Sequence, residues 1–196
     1  MSKLLVMQYG IVETGSGTPA SVISTADLKA HLRVTHSEED TMIEAMREAA
    51  IRYVENFCNV RIGSRGVAFY YNGYPSRIEL PIGPVTSVTG ITIATGDGTA
   101  DTIPTTDYFV TLGRNPTMIE FSNPRSGFQD TFRKINVAAL VGYTEADTPG
   151  PMVHAIKLLV AHMYELRQPE ITGSITTKLK LGVEALLNPY RIISFR

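Results

Sequence analysis

The stretch that most constrains this chain is Pro151–Arg167, which reads Pro-Met-Val-His-Ala-Ile-Lys-Leu-Leu-Val-Ala-His-Met-Tyr-Glu-Leu-Arg. Met152, Ile156, Leu159, Val160, Met163 and Leu166 recur at spacings of three and four, which places them on one helical face. Val153, Leu158 and Ala161 widen that face, leaving His154, Lys157, Glu165 and Arg167 for the outside. A helix this apolar predicts a core with other elements packed around it. It carries internal charges and is shorter than the ~20 mostly apolar residues of a membrane span. Thr148-Pro149-Gly150-Pro151 marks its start, with Pro151 suited to the first helical position, where no amide hydrogen is needed. Pro169 marks its stop.

A chain of 196 residues, 43% of them hydrophobic, accommodates one domain or one domain carrying an inserted second. Its 18 Lys and Arg against 19 Asp and Glu produce no global field that would attract nucleic acid or a membrane surface. The single cysteine, Cys58, excludes an internal disulfide and falls on an apolar helical pattern, so it reads as a small core residue. The first residues lack a basic region followed by an apolar run, so no signal peptide is expected and the setting is cytosolic.

Around the 151–167 helix the chain separates into segments. Residues 1–24 form a leader, with Leu4-Leu5-Val6-Met7 as a candidate edge strand and Glu13–Pro19 as a loop. Ser24-Thr-Ala-Asp27 has the form of a capping box and opens a short helix, Ala26 to Val34, with Leu28 and Leu32 facing inward and His31 a candidate third. Ser37-Glu-Glu-Asp40 opens a second helix running to Cys58. There Ser37 is the expected cap, and three acids sit at the positive end of the helix dipole. Met42, Ile43, Met46, Ala49, Ala50, Tyr53, Val54 and Phe57 keep its period. From 59 to 148 the texture changes to alternating β-branched, aromatic and polar residues broken by Gly and Pro. It predicts strands at Val67–Tyr71, Arg77–Leu80, Val85–Ala94, Tyr108–Thr111, Thr117–Phe121 and Lys134–Val141, with a turn at Gly96-Asp97-Gly98. After a polar stretch, Gln168–Lys180, a short helical turn at Gly182–Leu187 is stopped by Asn188-Pro189. The tail that follows, residues 190–196, alternates apolar and polar side chains and suits strand addition to another chain or entry into a groove.

The expected fold is therefore α+β. It is a small helical bundle of about four helices (25–58 and 149–189) with an inserted antiparallel β domain (59–148), a leader (1–24) and a C-terminal tail (190–196).

Motifs for chemistry are absent where they were sought. Gly96-Asp97-Gly98 lacks the strand–glycine–helix context of a phosphate-binding loop and reads as a hairpin turn. His154 and His162 lie two helical turns apart, roughly 12 Å, too far to share one metal. His162 and Glu165 share a face, but no third ligand stands nearby, so no metal and no cofactor are expected. His31 and His36 read as caps of the last carbonyls of the first helix. Glu38, Glu39 and Asp40 are explained by their place at a helix start, and no Gly-x-Ser-x-Gly elbow occurs, so no catalytic residue is assigned. Charge is unevenly distributed. Ala26–Cys58 carries four basic against seven acidic residues, whereas Arg167–Arg196 carries five basic against two acidic. Such polarity suits head-to-tail pairing between copies, in which a heterologous contact closes into a ring.

Several stretches resemble one family. They are Ala26-Asp-Leu-Lys-Ala-His-Leu-Arg-Val34; Glu39-Asp40 with Ile43, Ala49-Ala50 and Val54-Glu55; Leu80-Pro-Ile-Gly-Pro-Val-Thr-Ser-Val88; Tyr108; Val141-Gly-Tyr143; Pro151 with Ala155-Ile156 and Leu158–Arg167; and Gly182-Val-Glu-Ala-Leu-Leu-Asn-Pro-Tyr-Arg191. Their order and spacing resemble the head–tail connector (adaptor) proteins of tailed bacteriophages and prophages, in the branch with a β insertion between the second and third helices. The resemblance implies a virion structural protein, not an enzyme, found at the head–tail junction and in host cytoplasm before assembly. It implies a homo-oligomeric ring, usually a dodecamer, seated below the portal protein after DNA packaging. That ring would extend the channel for passing double-stranded DNA, without sequence specificity, and present a platform to a downstream neck or tail protein.

By the same resemblance the helical part forms the ring body and the tail contacts the portal, with Tyr190, Arg191, Ile192, Ile193 and Phe195 as the docking residues. Deleting Tyr190–Arg196 should then leave folding intact and abolish attachment. Lys178 and Lys180 are candidate channel-lining residues, making weak and diffuse contact with DNA. Two other classes compete. A DNA-packaging or DNA-binding accessory protein predicts salt-sensitive DNA binding, and a small enzyme predicts a ligand held in the β insertion.

Overall fold

The structure, a computed structural model, describes residues 8–14, 22–73, 76–94, 100–122, 134–166 and 182–193. They form two compact units. One comprises Met1–Gly17, Ser64–Gly142 and Ile192–Arg196, and the other Thr18–Gly63 and Tyr143–Arg191.

The second unit is helical. Helices α1 (Thr25–Leu32), α2 (Asp40–Cys58) and α3 (Gly150–Glu165) contact one another, and residues 182–187 form a short α4. The α1 start is the expected capping box, in which the Ser24 hydroxyl accepts from the Asp27 amide and the Asp27 carboxylate accepts from the Ser24 amide. That hydroxyl also donates to the Asp27 carboxylate, which holds the Asp27 acid below its ordinary pKa. Ser37 does not cap α2. Glu39 is the N-cap residue, without a side-chain cap bond, and the Ser37 carbonyl accepts from the Asp40 amide in the turn that leads in. His31 and His36 are not the caps of α1, and His31 is exposed instead of facing inward. The chain closes that helix with its own backbone, Arg33 in the left-handed region and the Arg33 and Val34 amides donating to Ala30 and Lys29. Pro149 is the N-cap of α3 and Gly150 its first residue, so Pro151 stands second. The helix ends at Glu165 with Leu166 as cap, before Arg167 and Pro169, which lie outside the described residues.

The first unit is two antiparallel sheets. One has five strands in the order β1 (Gln8–Glu13), β2 (Arg65–Asn72), β8 (Lys134–Val141), β4 (Val85–Ala94), β5 (Ala100–Thr102). The other has three, in the order β3 (Arg77–Leu80), β7 (Thr117–Phe121), β6 (Tyr108–Thr111). Phe69, Ile91, Ile93, Ile135 and Val137 of the larger sheet join Ile78, Leu80, Ile119 and Phe121 of the smaller in one apolar core. These residues alternate with exposed ones along their strands, the signature of a half-buried strand. β4 carries two bulges against β8, near Val85–Ser87 and Val88–Gly90. At each, a threonine hydroxyl restores a hydrogen bond to β8. Thr86 donates to the Leu140 carbonyl at 2.9 Å and Thr89 to the Ala138 carbonyl at 3.0 Å.

The leader does contain an edge strand, but at Gln8–Glu13 and not at Leu4–Met7, which lie outside the described residues. The strand pairs with β2, so this part of the leader belongs to the β unit, and Glu13 falls in a strand instead of a loop. Arg65, nearly fully buried, holds it there with a 3.0 Å bond to the Glu13 carboxylate. The unit boundaries also differ from 59 and 148. Residues 59–63 and 143–148 stay with the helices, where the Gly63 amide donates to the Tyr143 carbonyl and the Tyr143 amide to the Arg61 carbonyl. β5 was not expected. Its residues are all exposed, so no burial pattern announces it. The expected Gly96–Gly98 turn lies outside the described residues, between strands β4 and β5, which pair antiparallel.

Candidate functional site

The sequence placed function in the C-terminal segment, and the structure divides that segment residue by residue. In α4, Val183 and Leu187 are buried, and the Leu187 carbonyl accepts a 3.7 Å bond from the Cys58 thiol at the end of α2. Burial raises that thiol to about 11, only partly offset by the Arg191 charge. A thiol so protonated is a poor nucleophile, which agrees with a packing role. A 3-10 turn, Asn188–Tyr190, then carries the chain out of the helix.

Arg191 is exposed, with its guanidinium 5.3 Å from the centroid of the Phe57 ring. Phe57 in turn stacks on Tyr53 at 6.2 Å with nearly parallel rings. The result is a cation–aromatic stack on the surface of the helical unit. Tyr53 sits beside Glu184, and burial together with that charge raises its hydroxyl pKa. Tyr190 is half-buried and adds to the raised pKa of Tyr143, whose main cause is burial.

Ile192 behaves differently from its neighbours. It is 2% exposed and packs over Gly83, so tightly that a β-carbon at Gly83 would stand 2.7 Å from its Cδ1. Asn115 Oδ1 closes the same spot at 3.0 Å. The sequence reading had Ile192 docking on a neighbouring protein, but it is consumed within its own chain. Only Ile193, 61% exposed, offers a free apolar side chain here. Phe195, Lys178 and Lys180 lie outside the described residues. The expectation that removal of Tyr190–Arg196 would leave folding intact is corrected on the same ground, because the deletion takes a core side chain with it.

Two buried charges of α2 were not anticipated. Glu55 is 1% exposed and accepts a 2.8 Å bond from the Ile62 amide, while its own carbonyl accepts from Val60. Arg52 stands 3.3 Å from the same carboxylate. Glu55 thus fixes the path of the chain as it leaves α2 through Asn59, which is in the left-handed region. Arg47 is 8% exposed and donates to the Thr25 hydroxyl at 3.1 Å, tying α2 to the start of α1. Because α2 buries Ile43, Arg47, Ala50, Ile51, Val54, Glu55 and Cys58, its inward side is turned relative to the apolar set read from sequence. Met42, Met46 and Phe57 are only half-buried, Ala49 is exposed and Tyr53 is 38% exposed.

Among the described residues no group of three or more His, Cys, Asp and Glu is placed to hold a metal ion. His154 is exposed, and His36 stands 3.8 Å from Glu39. No helix among them is long and apolar enough to cross a membrane. The best-formed concavity, lined by Thr25, Ala26, Lys29, Ala30, Val34 and Asp40, is shallow and is bridged by the 2.7 Å Lys29–Asp40 ion pair. The chemistry on offer is that of surfaces: an aromatic–arginine stack, an exposed isoleucine, and acidic and apolar helix faces.

Comparison with known proteins agrees with that character. Residues 23–103 match the model of the phage gp6-like head-tail connector protein family, and the resemblance read from the sequence is borne out. No curated protein matches the chain. Among solved structures, a chain in the neck of the empty GTA particle computed with C6 symmetry superposes with a TM-score of 0.76 at 21% identity, covering 95% of this chain and 97% of that one. A chain of the virion of the native gene transfer agent (GTA) particle gives 0.77 at 21% identity, and one in the neck of the native GTA particle computed with C12 symmetry gives 0.76 at 20%, each with the same coverage. At these identities the likeness establishes the fold, an α+β neck-protein fold present almost end to end.

Proposed function

We infer that this chain is a head–tail connector subunit, a structural protein whose copies form a ring at the junction between the head and tail of a phage-like particle. The single observation that carries this is the coincidence of the connector-family match over 23–103 with a neck-protein fold over 95% of the chain. The sixfold and twelvefold symmetries of the similar necks support a closed ring of identical subunits. The dodecamer, the portal protein above it and a downstream neck or tail protein below it extend that reading, as does location in host cytoplasm before assembly.

In this ring the helical unit forms the body, and the C-terminal segment reaches the portal. The docking set is Tyr190, Arg191 and Ile193, with Phe195 beyond the described residues, and Ile192 serves as the anchor that presents them. The channel lets duplex DNA slide, so charge there is weak and diffuse, and Lys178 and Lys180 are the candidates for it. The protein's net charge of −1 agrees with a subunit that does not bind DNA tightly by itself. The protein is not an enzyme on this reading.

The test is a truncation that respects the fold. Removing Ile193–Arg196 keeps Ile192 and should leave the unfolding transition within about 0.5 kcal/mol of the full chain, as for surface changes generally. It should also abolish cosedimentation with portal rings. Normal attachment by the truncated protein would refute the assignment of the tail.

A further inference from the structure

Helix α2 carries two apolar sides. One is the buried side centred on Ile43, Ala50 and Val54. The other is the stripe Met42, Met46, Ala49, Tyr53 and Phe57, whose 4-3-4-4 spacing keeps it on one side of the helix over about 22 Å. Among these, Ala49 is exposed, Tyr53 is 38% exposed and the rest are half-buried. Arg191 sits over Phe57 at its end. Around the helix from this stripe, Glu44 and Glu48 are exposed.

The outer side of α3 is its complement. It lies away from the buried Met152, Ala155, Ile156 and Val160, and presents Leu158 and Ala161, both half-buried, flanked by His154 and Lys157. One face is apolar and bordered by acids; the other is apolar and bordered by bases.

We propose that the α2 stripe of one copy packs against the outer face of α3 of the next copy, and that this heterologous contact is the ring interface of the helical unit. The proposal rests on the ring reading above and names the surfaces that close it. The occupant is a second copy because the acid-bordered and base-bordered faces belong to the same chain and differ, which is the requirement for a contact that propagates around a ring instead of stopping at a pair. A stripe of this length covers less than the ~800 Å² per partner of a standard interface, so isolated pairs are weak and closure of the ring stabilises them.

The test mixes Ala49→Cys and Ala161→Cys proteins on portal rings and adds a short bismaleimide. A crosslinked two-chain product is expected in the mixture and not with either variant alone. The native Cys58 is buried and does not compete. Product from Ala49→Cys alone would mean that like faces meet, and would overturn the proposal. Absence of product with subunits present as a ring would overturn it as well, while absence of any ring with the unsubstituted chain would overturn the ring reading beneath it. Ala49→Arg gives an independent check. It should leave the thermal midpoint unchanged and prevent ring formation. A lowered midpoint with the ring intact would assign the stripe to residues 167–181 of the same chain and contradict the proposal.

Discussion

Single residues separate the side chains that hold this fold from those left over for assembly. Ile192 and Ile193 are adjacent and chemically identical, yet one is 2% and the other 61% exposed. Ile192→Ala should destabilise the protein by about 2–4 kcal/mol through lost burial and a cavity over Gly83, whereas Ile193→Ala should change stability by less than about 0.5 kcal/mol. Denaturant unfolding of the two variants side by side checks this, and equal effects would contradict it. Glu55→Ala leaves the buried Ile62 amide without its acceptor and should cost about 2–4 kcal/mol in the same assay. Cys58 adds a pH dependence. Its folded pKa, about 11, lies above the ordinary 9.0, so the unfolded chain ionises first as pH rises. Stability is therefore complete below about pH 9 and declines between pH 9 and 11, by on the order of 2 kcal/mol. A Cys58→Ala protein should lose that part of the decline.

At the scale of elements, local chemistry decides what stands alone. The α1 capping box predicts that Ser24→Ala lowers stability by about 1 kcal/mol and Ser37→Ala by almost nothing, since Ser37 contributes only its carbonyl at α2. Thermal midpoints of the two variants distinguish the cases. This is also the scale at which the sequence was most legible. Strands β3, β4, β6, β7 and β8 fall on the expected bounds because inward Ile, Leu and Val alternate with polar neighbours. β5 escaped because three exposed residues held by a neighbouring strand leave no pattern. The inward side of α2 was misjudged because apolar residues cover more than half its circumference, and periodicity alone cannot say which of them meet α1 and α3. Arg47 and Glu55 completed the inward side, although buried charges are invisible to a hydropathy reading. The tail was legible as apolar but not as divided, since nothing in Ile192-Ile193 shows that Gly83 leaves room for one of them.

The whole molecule is a building unit. Its helical and β units hold their own cores, its described residues gather no catalytic or metal-binding cluster, and its distinctive surfaces face outward. The features that bear on assembly are the acid-bordered stripe of α2, the base-bordered face of α3 and the short exposed end after Ile192. The most direct test of the account is electron microscopy of the purified protein mixed with its portal protein. The account predicts closed rings of identical subunits, of sixfold or twelvefold symmetry, coaxial with the portal and leaving an open channel. A protein that remains a monomer beside bare portals at every concentration, or that forms only closed pairs, would contradict it.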